Sequence, residues 1–171
     1  MGLDDYEIAE LPLRNGILGI GPIPGRGGFY QADLTAILKW GADVVLTMTT
    51  GREMGRVEAD TLGEDLRAAG VIWHHLPIRD FGAPDPETAA LWPAASKDAH
   101  YALAKNGKVF AHCYGGCGRS GMALMRLMVE AGENADPALE RLRDARPCAV
   151  EDETQRAWAA IPMYERMGWS P

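Results

Sequence analysis

Apolar and polar positions alternate along this chain in two rhythms. Short apolar runs, "DVVLTM" (43–48), "VIWHHLPI" (71–78) and "KVFAHC" (108–113), are bounded by Gly, Asn or Asp and predict buried strands. "LPLRNGILGI" predicts a hairpin turning at Asn15 and Gly16. Between these lie stretches of helical period. "LTAILKW" has Asp33 as its predicted cap and Gly41 as its stop. "VEADTLGEDLRAAG" is predicted to close at Gly70, and "ETAALWPAASKDAHYALAKNG" to be kinked or divided by Pro93. "RSGMALMRLMVEAG" is so apolar that it must be buried. "DPALERLRDAR", with Pro137 in its first turn, and "EDETQRAWAAIPMYERMG", kinked at Pro162, close the series. "GPIPGRGG", "TTGREMG" and "RDFGAPDP" read as loops. Strands alternating with helices predict an α/β fold, a mainly parallel sheet of about five strands flanked by helices. Neither a repeat nor a low-complexity linker interrupts residues 1–171, which read as one domain.

Composition narrows the function classes. A net charge of −7 disfavours general nucleic-acid binding. No run approaches the roughly eighteen apolar residues of a membrane span, and acidic "MGLDDYEIAE" has no signal-peptide core. Three cysteines are too few, and odd in number, for a disulfide framework, so a reducing, cytoplasmic setting is expected. Arginine outnumbers lysine and alanine is abundant, the bias of a GC-rich bacterial genome. An acidic single domain is most simply a monomer.

The chemistry concentrates in "AHCYGGCGRSG" (111–121), where a strand ends and a helix begins. Ligands bind at that place in open α/β sheets. Three of the five residues Tyr114, Gly115, Gly116, Cys117 and Gly118 are glycine, which leaves the backbone N–H groups as the binding surface. The helix N-terminus adds unpaired donors and a positive dipole end. Arg119 supplies a fork for two phosphate oxygens. Cys113 opens the loop as its nucleophile, in surroundings that favour a thiolate. Ser120 can donate to that sulfur when it leaves. His112, pointing away on the strand, is an orienting group rather than a base.

"HCYGGCGRS" matches the His-Cys, five residues, Arg-Ser/Thr signature of the cysteine-dependent protein tyrosine phosphatases. "HCYGG" with "GRS", together with "HHLPIRDFGAP", resembles the kinase-associated phosphatase group of the dual-specificity branch; "DLTAILKWGADVVLTM" and "AVEDETQ" are similar more loosely. The resemblance implies a protein tyrosine phosphatase-like fold, a phosphocysteine intermediate on Cys113, and no metal or other cofactor. It implies an aspartate as acid and then base. Asp80 and Asp85 both stand on "RDFGAPDP"; Asp80, behind "PI" as in the family, is the expected one. Gln155 stands where the family often places a glutamine that positions water, and equally begins a capped helix. Glu151 departs from the glutamine usual at its place.

Other residues read more plainly. Cys117 could bridge to Cys113 on oxidation, and Cys148 is structural. His74 and His75 are structural and lack zinc-like spacing; His100 has no evident partner. Arg52 and Arg79 are loop charges near the predicted site. Two rival readings stay open: a phosphate-binding pseudophosphatase, and a rhodanese-like sulfurtransferase. The absence of charge at the variable loop positions favours a phosphoprotein over a phosphoinositide, with phosphotyrosine and also phosphoserine or phosphothreonine admitted by a shallow pocket.

Overall fold

The structure is a computed structural model that describes residues 5–168. Five strands form one sheet: β1 (Ala9–Leu13), β2 (Gly16–Gly21), β3 (Val44–Thr47), β4 (Ile72–His75) and β5 (Lys108–His112). Their spatial order is β1-β2-β5-β3-β4; only β1 runs antiparallel to its neighbour. The α/β class and mainly parallel sheet are as expected. Side chains alternate across the central strand β5. Val109 and Ala111 face one core with Leu18, Val44 and Leu46, whereas Phe110 faces a second with Val45 and Ile37.

The hairpin register differs from expectation. Leu13 pairs with Gly16, so the turn residues are Arg14 and Asn15, and Arg14 takes a positive φ of 53°. Gly16 is needed for another reason: a Cβ there would collide with the carbonyl oxygen of Gly107.

Eight helices are described: α1 (Tyr30–Trp40), α2 (Gly51–Arg56), α3 (Leu62–Ala68), α4 (Pro86–Ala89), α5 (Trp92–Ala104), α6 (Gly118–Glu130), α7 (Ala135–Ala145) and α8 (Glu153–Arg166). Helix α1 begins before Asp33, whose carboxylate instead accepts from Gly25 N at 2.8 Å. "TTGREMG" is not a loop but carries α2, closed by a capping box between Thr50 and Glu53. Pro93 marks a division: α4 ends at Ala89 and α5 starts anew at Trp92, with the proline in its first turn. Pro162 is carried within α8.

The four parallel strands end on one edge. From it leave the segment after Gly21, the α2 segment, the loop 76–85 after β4, and the glycine-rich loop after His112. Helix α6 is buried nearly throughout behind that last loop. None of the described helices is long and apolar enough to cross a membrane.

Candidate active site

Strand β5 delivers Cys113 to the sheet edge, 3% exposed and within the core. The loop 114–117 then turns its carbonyls outward. Tyr114 O accepts from Ile23 N, Gly115 O and Gly116 O accept from Arg146 at 3.0 and 2.9 Å, and Cys117 O accepts from Val150 N. Among the described residues no acceptor meets the amides of Tyr114 through Cys117. Carbonyls held outside and amides left inside make a cup of donors. Gly116 takes φ 75°, and a Cβ there would strike the backbone of Gly21.

Ser120, fully buried in the first turn of α6, lies 3.2 Å from the Cys113 sulfur. Arg119 is the largest fully buried side chain. Its Nη1 and Nη2 donate to the two carboxylate oxygens of Glu53, each at 2.8 Å; Nη1 also donates to Ile78 O. Nη2 lies 3.3 Å from Asp80. Nε, equally buried, has no partner among the described residues. Burial opposes the guanidinium charge, but Glu53, Cys113 and Asp80 outweigh it and raise the Arg119 pKa. Burial likewise lifts Glu53, yet the Arg119 bonds and the Thr50 backbone pull its carboxyl below the usual range. The end of the guanidinium is thus held by Glu53. The Nε edge is left for another anion.

Asp80 and Asp85 have different surroundings. Asp80 reaches Arg119 and also accepts from Phe81 N at 3.0 Å. Asp85 caps α4 through Thr88 N at 2.8 Å. Gln155 is fully buried; its amide oxygen accepts from Glu151 N and its nitrogen donates to Gly82 O. It therefore joins the loop after β4 to the start of α8, and lies with Glu151 against Gly118.

His112 sits on the opposite face from Cys113. Trp73 Nε1 donates to Thr47 Oγ1 at 2.7 Å, and because the Cys113 carbonyl at Nδ1 can only accept, the Thr47 hydroxyl donates to His112 Nε2 at 2.8 Å. Nδ1 then carries the imidazole proton and faces Cys113 O at 3.3 Å. Burial lowers the His112 pKa to about 4, against the pull of that carbonyl. Neutral and fixed, it steadies the strand end that carries the cysteine.

Two expectations about cysteine need correction. Cys117 is bonded not to Cys113 but to Cys148, with their Cα atoms 5.1 Å apart. Cys113 is left as the free thiol. The bridge also runs against the reducing setting read from the cysteine count. His100, expected to stand alone, pairs with Glu130 at 3.2 Å. His74 pairs with Asp98, and His75 meets Thr49 O. Among the described residues no group of His, Cys, Asp and Glu is arranged to hold a metal ion.

Sequence reasoning missed Glu53, Arg146 and the Cys148 bridge. Glu53 had a legible signal, since Thr50 stands three residues before it in a capping-box spacing. Arg146 had none beyond its place ahead of Pro147.

The family Tc-R-P, described as "Polymorphic toxin system, DSP-PTPase phosphatase", matches residues 23–133. This chain belongs to that family. Among curated proteins, cyclin-dependent kinase inhibitor 3 of Mus musculus is 31% identical over 118 residues, and that of Sus scrofa 30%. Each match takes in 68% of this chain and 54% of the relative, so the chain spans about half the length of the curated relatives it matches. The solved structure of kinase-associated phosphatase, with its catalytic cysteine replaced by serine, superposes at a TM-score of 0.80. It is 24% identical, covering 97% of this chain and 98% of that one. PTPMT1 in complex with PI(5)P superposes at 0.74 with 16% identity, over 93% of this chain and 97% of the other. These superpositions place the fold among the protein tyrosine phosphatase-like folds.

Proposed function

We propose that residues 1–171 form one phosphatase domain that hydrolyses phosphate monoesters on proteins through a phosphocysteine. The observation that carries this reading is the pairing of a buried, unpartnered Arg119 Nε with Cys113 at the floor of a cup of free amides. Substrate oxygens take the amides of Tyr114 through Gly118 and the Nε and Nη2 edge of Arg119. Asp80 must then release Nη2 and turn to the leaving oxygen. The Cys113 thiolate attacks phosphorus; the bond to the leaving oxygen breaks as Asp80, in its acid form, gives that oxygen a proton. Water next attacks the phosphocysteine, with Asp80 taking a proton from it and Gln155 helping to place it. Phosphate departs, and the Ser120 hydroxyl donates to the sulfur as the thiolate re-forms. No cofactor enters these steps.

The substrate is a phosphorylated protein, carrying phosphotyrosine or also phosphoserine or phosphothreonine. The relatives' name, with a kinase in it, supports a protein rather than a lipid. The enzyme acts as a monomer on neither membrane nor nucleic acid. We place it in the cytoplasm of a bacterium, where the Cys117–Cys148 bridge is open to reduction.

The test is hydrolysis of a small aryl phosphate near pH 6, with and without EDTA. Wild type turns over in both, and Cys113→Ser falls to background. Asp80→Ala loses on the order of 10²–10⁴ in rate. Asp85→Ala keeps its rate and loses about 1 kcal/mol of stability with its cap. Turnover surviving in Cys113→Ser overturns the mechanism; equal rate losses in the two aspartate variants remove Asp80 from its role.

A further inference from the structure

Arg26 takes no part in the chemistry above, yet the fold fixes it beside the cup. Its segment, between β2 and α1, is fastened at several points. Ile23 N donates to Tyr114 O, Tyr6 Oη donates to Pro22 O at 2.6 Å, and Asp33 accepts from Gly25 N. Arg26 N closes a turn onto Ile23 O. The guanidinium carbon then lies 5.5 Å from the centroid of the Tyr114 ring. Nη1 stands 3.3 Å from where a Cβ on Gly115 would be, so the guanidinium lies against the backbone of the loop.

This cation is exposed, and among the described residues no carboxylate pairs with it. Arg52 and Arg79, on the other two segments leaving this edge, are also exposed and without an ion-pair partner among the described residues. The chain carries seven more acidic than basic charges. Arg14, Arg56 and Arg67 are likewise exposed without an ion-pair partner among the described residues, so what sets Arg26 apart is its seat on Tyr114 beside the cup of free amides. The loop itself holds no charge between Cys113 and Arg119; Arg26 brings that charge from a different segment.

We propose that Arg26, held on Tyr114, is a second anion subsite that selects phosphopeptides bearing a second phosphate near the scissile one. A guanidinium fork suits a second phosphate, and stacking on Tyr114 reduces the freedom it loses on binding. A peptide fits better than a lipid headgroup, because a net charge of −7 opposes approach to an anionic membrane surface. The inference rests on the phosphatase reading for its substrate class.

Binding separates the two. In a Cys113→Ser background, affinity is measured by fluorescence anisotropy for phosphotyrosine peptides with or without a phosphoserine one or two residues to either side. The second phosphate at its best position should tighten binding about five-fold at low salt, the range of an exposed charge pair, and less at high salt. Adding Arg26→Gln should bring the ratio of doubly to singly phosphorylated peptide close to one; Arg26→Lys should give an intermediate ratio. A ratio that Arg26→Gln leaves intact, or a ratio of one at every position before substitution, overturns the subsite. A larger Arg26-dependent gain with soluble inositol polyphosphates than with any peptide overturns the peptide assignment. Failure of aryl phosphate turnover in wild type, by contrast, strikes the phosphatase reading and leaves this binding ratio readable.

Discussion

Arg119 is a charge of 1% side-chain exposure that must stay available to a substrate, and Glu53 resolves that conflict. By taking both terminal nitrogens, Glu53 compensates the buried charge and fixes the guanidinium plane, while Nε stays open. Thr50 N and Thr50 Oγ1 in turn hold Glu53 at 2.9 and 3.0 Å, so the clamp is positioned by a helix cap. Glu53→Gln keeps the shape but removes the charge and one acceptor. We expect kcat to fall about ten- to a hundred-fold with a smaller change in KM, because the phosphate must be gripped more tightly as its oxygens gain charge. Stability should fall by roughly 3 kcal/mol, since a buried charge loses its partner. Steady-state kinetics beside a denaturant titration check both. Wild-type kcat in a destabilised variant would reduce Glu53 to a structural role.

Elements were legible in the chain to unequal degrees. Strands β3 and β5 announced themselves because both faces of a central parallel strand are buried and the run is apolar; β4, expected as a buried strand, is instead the sheet's edge, with Ile72 exposed and Trp73, His74 and His75 half-buried. Helix α2 did not, because Gly51 and Gly55 mask a segment only six residues long; the Thr50 and Glu53 spacing was the surviving signal. The hairpin register was masked by Asn15 and Gly16, a turn signature that here sits one position late because Gly16 answers to Gly107 instead. Cys113, Arg119 and Ser120 could be read from local spacing, whereas Asp80 was separated from Asp85 only by the family resemblance of its loop. Their support from Glu53 and Arg146 could not, because it crosses 66 and about thirty residues of chain respectively. The cysteine pairing was equally hidden: three cysteines allow three bridges, and only the α7–α8 connection brings Cys148 to Cys117, 31 residues away. That bridge ties the end of the phosphate cup to the connection carrying Arg146, Val150 and Glu151. Closing a loop of this length stabilises by about 3–4 kcal/mol in the chain-entropy account. Reductant should lower the denaturation midpoint of wild type accordingly and leave Cys148→Ala unmoved. Thiol titration of the unfolded, unreduced chain should find one free cysteine; three would remove the bridge from the native protein.

Across the whole molecule, one line of hydrogen bonds crosses the sheet beneath the site. Trp73 on β4 reaches Thr47 on β3, and Thr47 reaches His112 on β5, whose carbonyl accepts from Met48 N. The line works only with a neutral imidazole, since Nε2 must accept from Thr47. Folding therefore carries a proton linkage. The unfolded histidine titrates near its ordinary 6.5, the folded one near 4. Above about 6.5 both states are neutral and the linkage is silent. Between 6.5 and 4 the unfolded state binds a proton that the folded state refuses, so stability falls as pH falls. The loss reaches roughly 3 kcal/mol by pH 4, at about 1.4 kcal/mol per unit. Glu53 adds a second acid-sensitive contribution lower down: its folded carboxyl is depressed, so its stabilisation is lost as pH drops through that lowered value. Denaturant titrations from pH 7.5 to 4 should therefore show a decline already under way at pH 6, before most carboxylates protonate. His112→Asn removes the titrating ring, so its stability, lower at neutral pH, should stay flat from pH 7 to 5. An equal slope in wild type and His112→Asn over that window would mean that other groups carry the acid sensitivity and that the imidazole is not held neutral by the sheet.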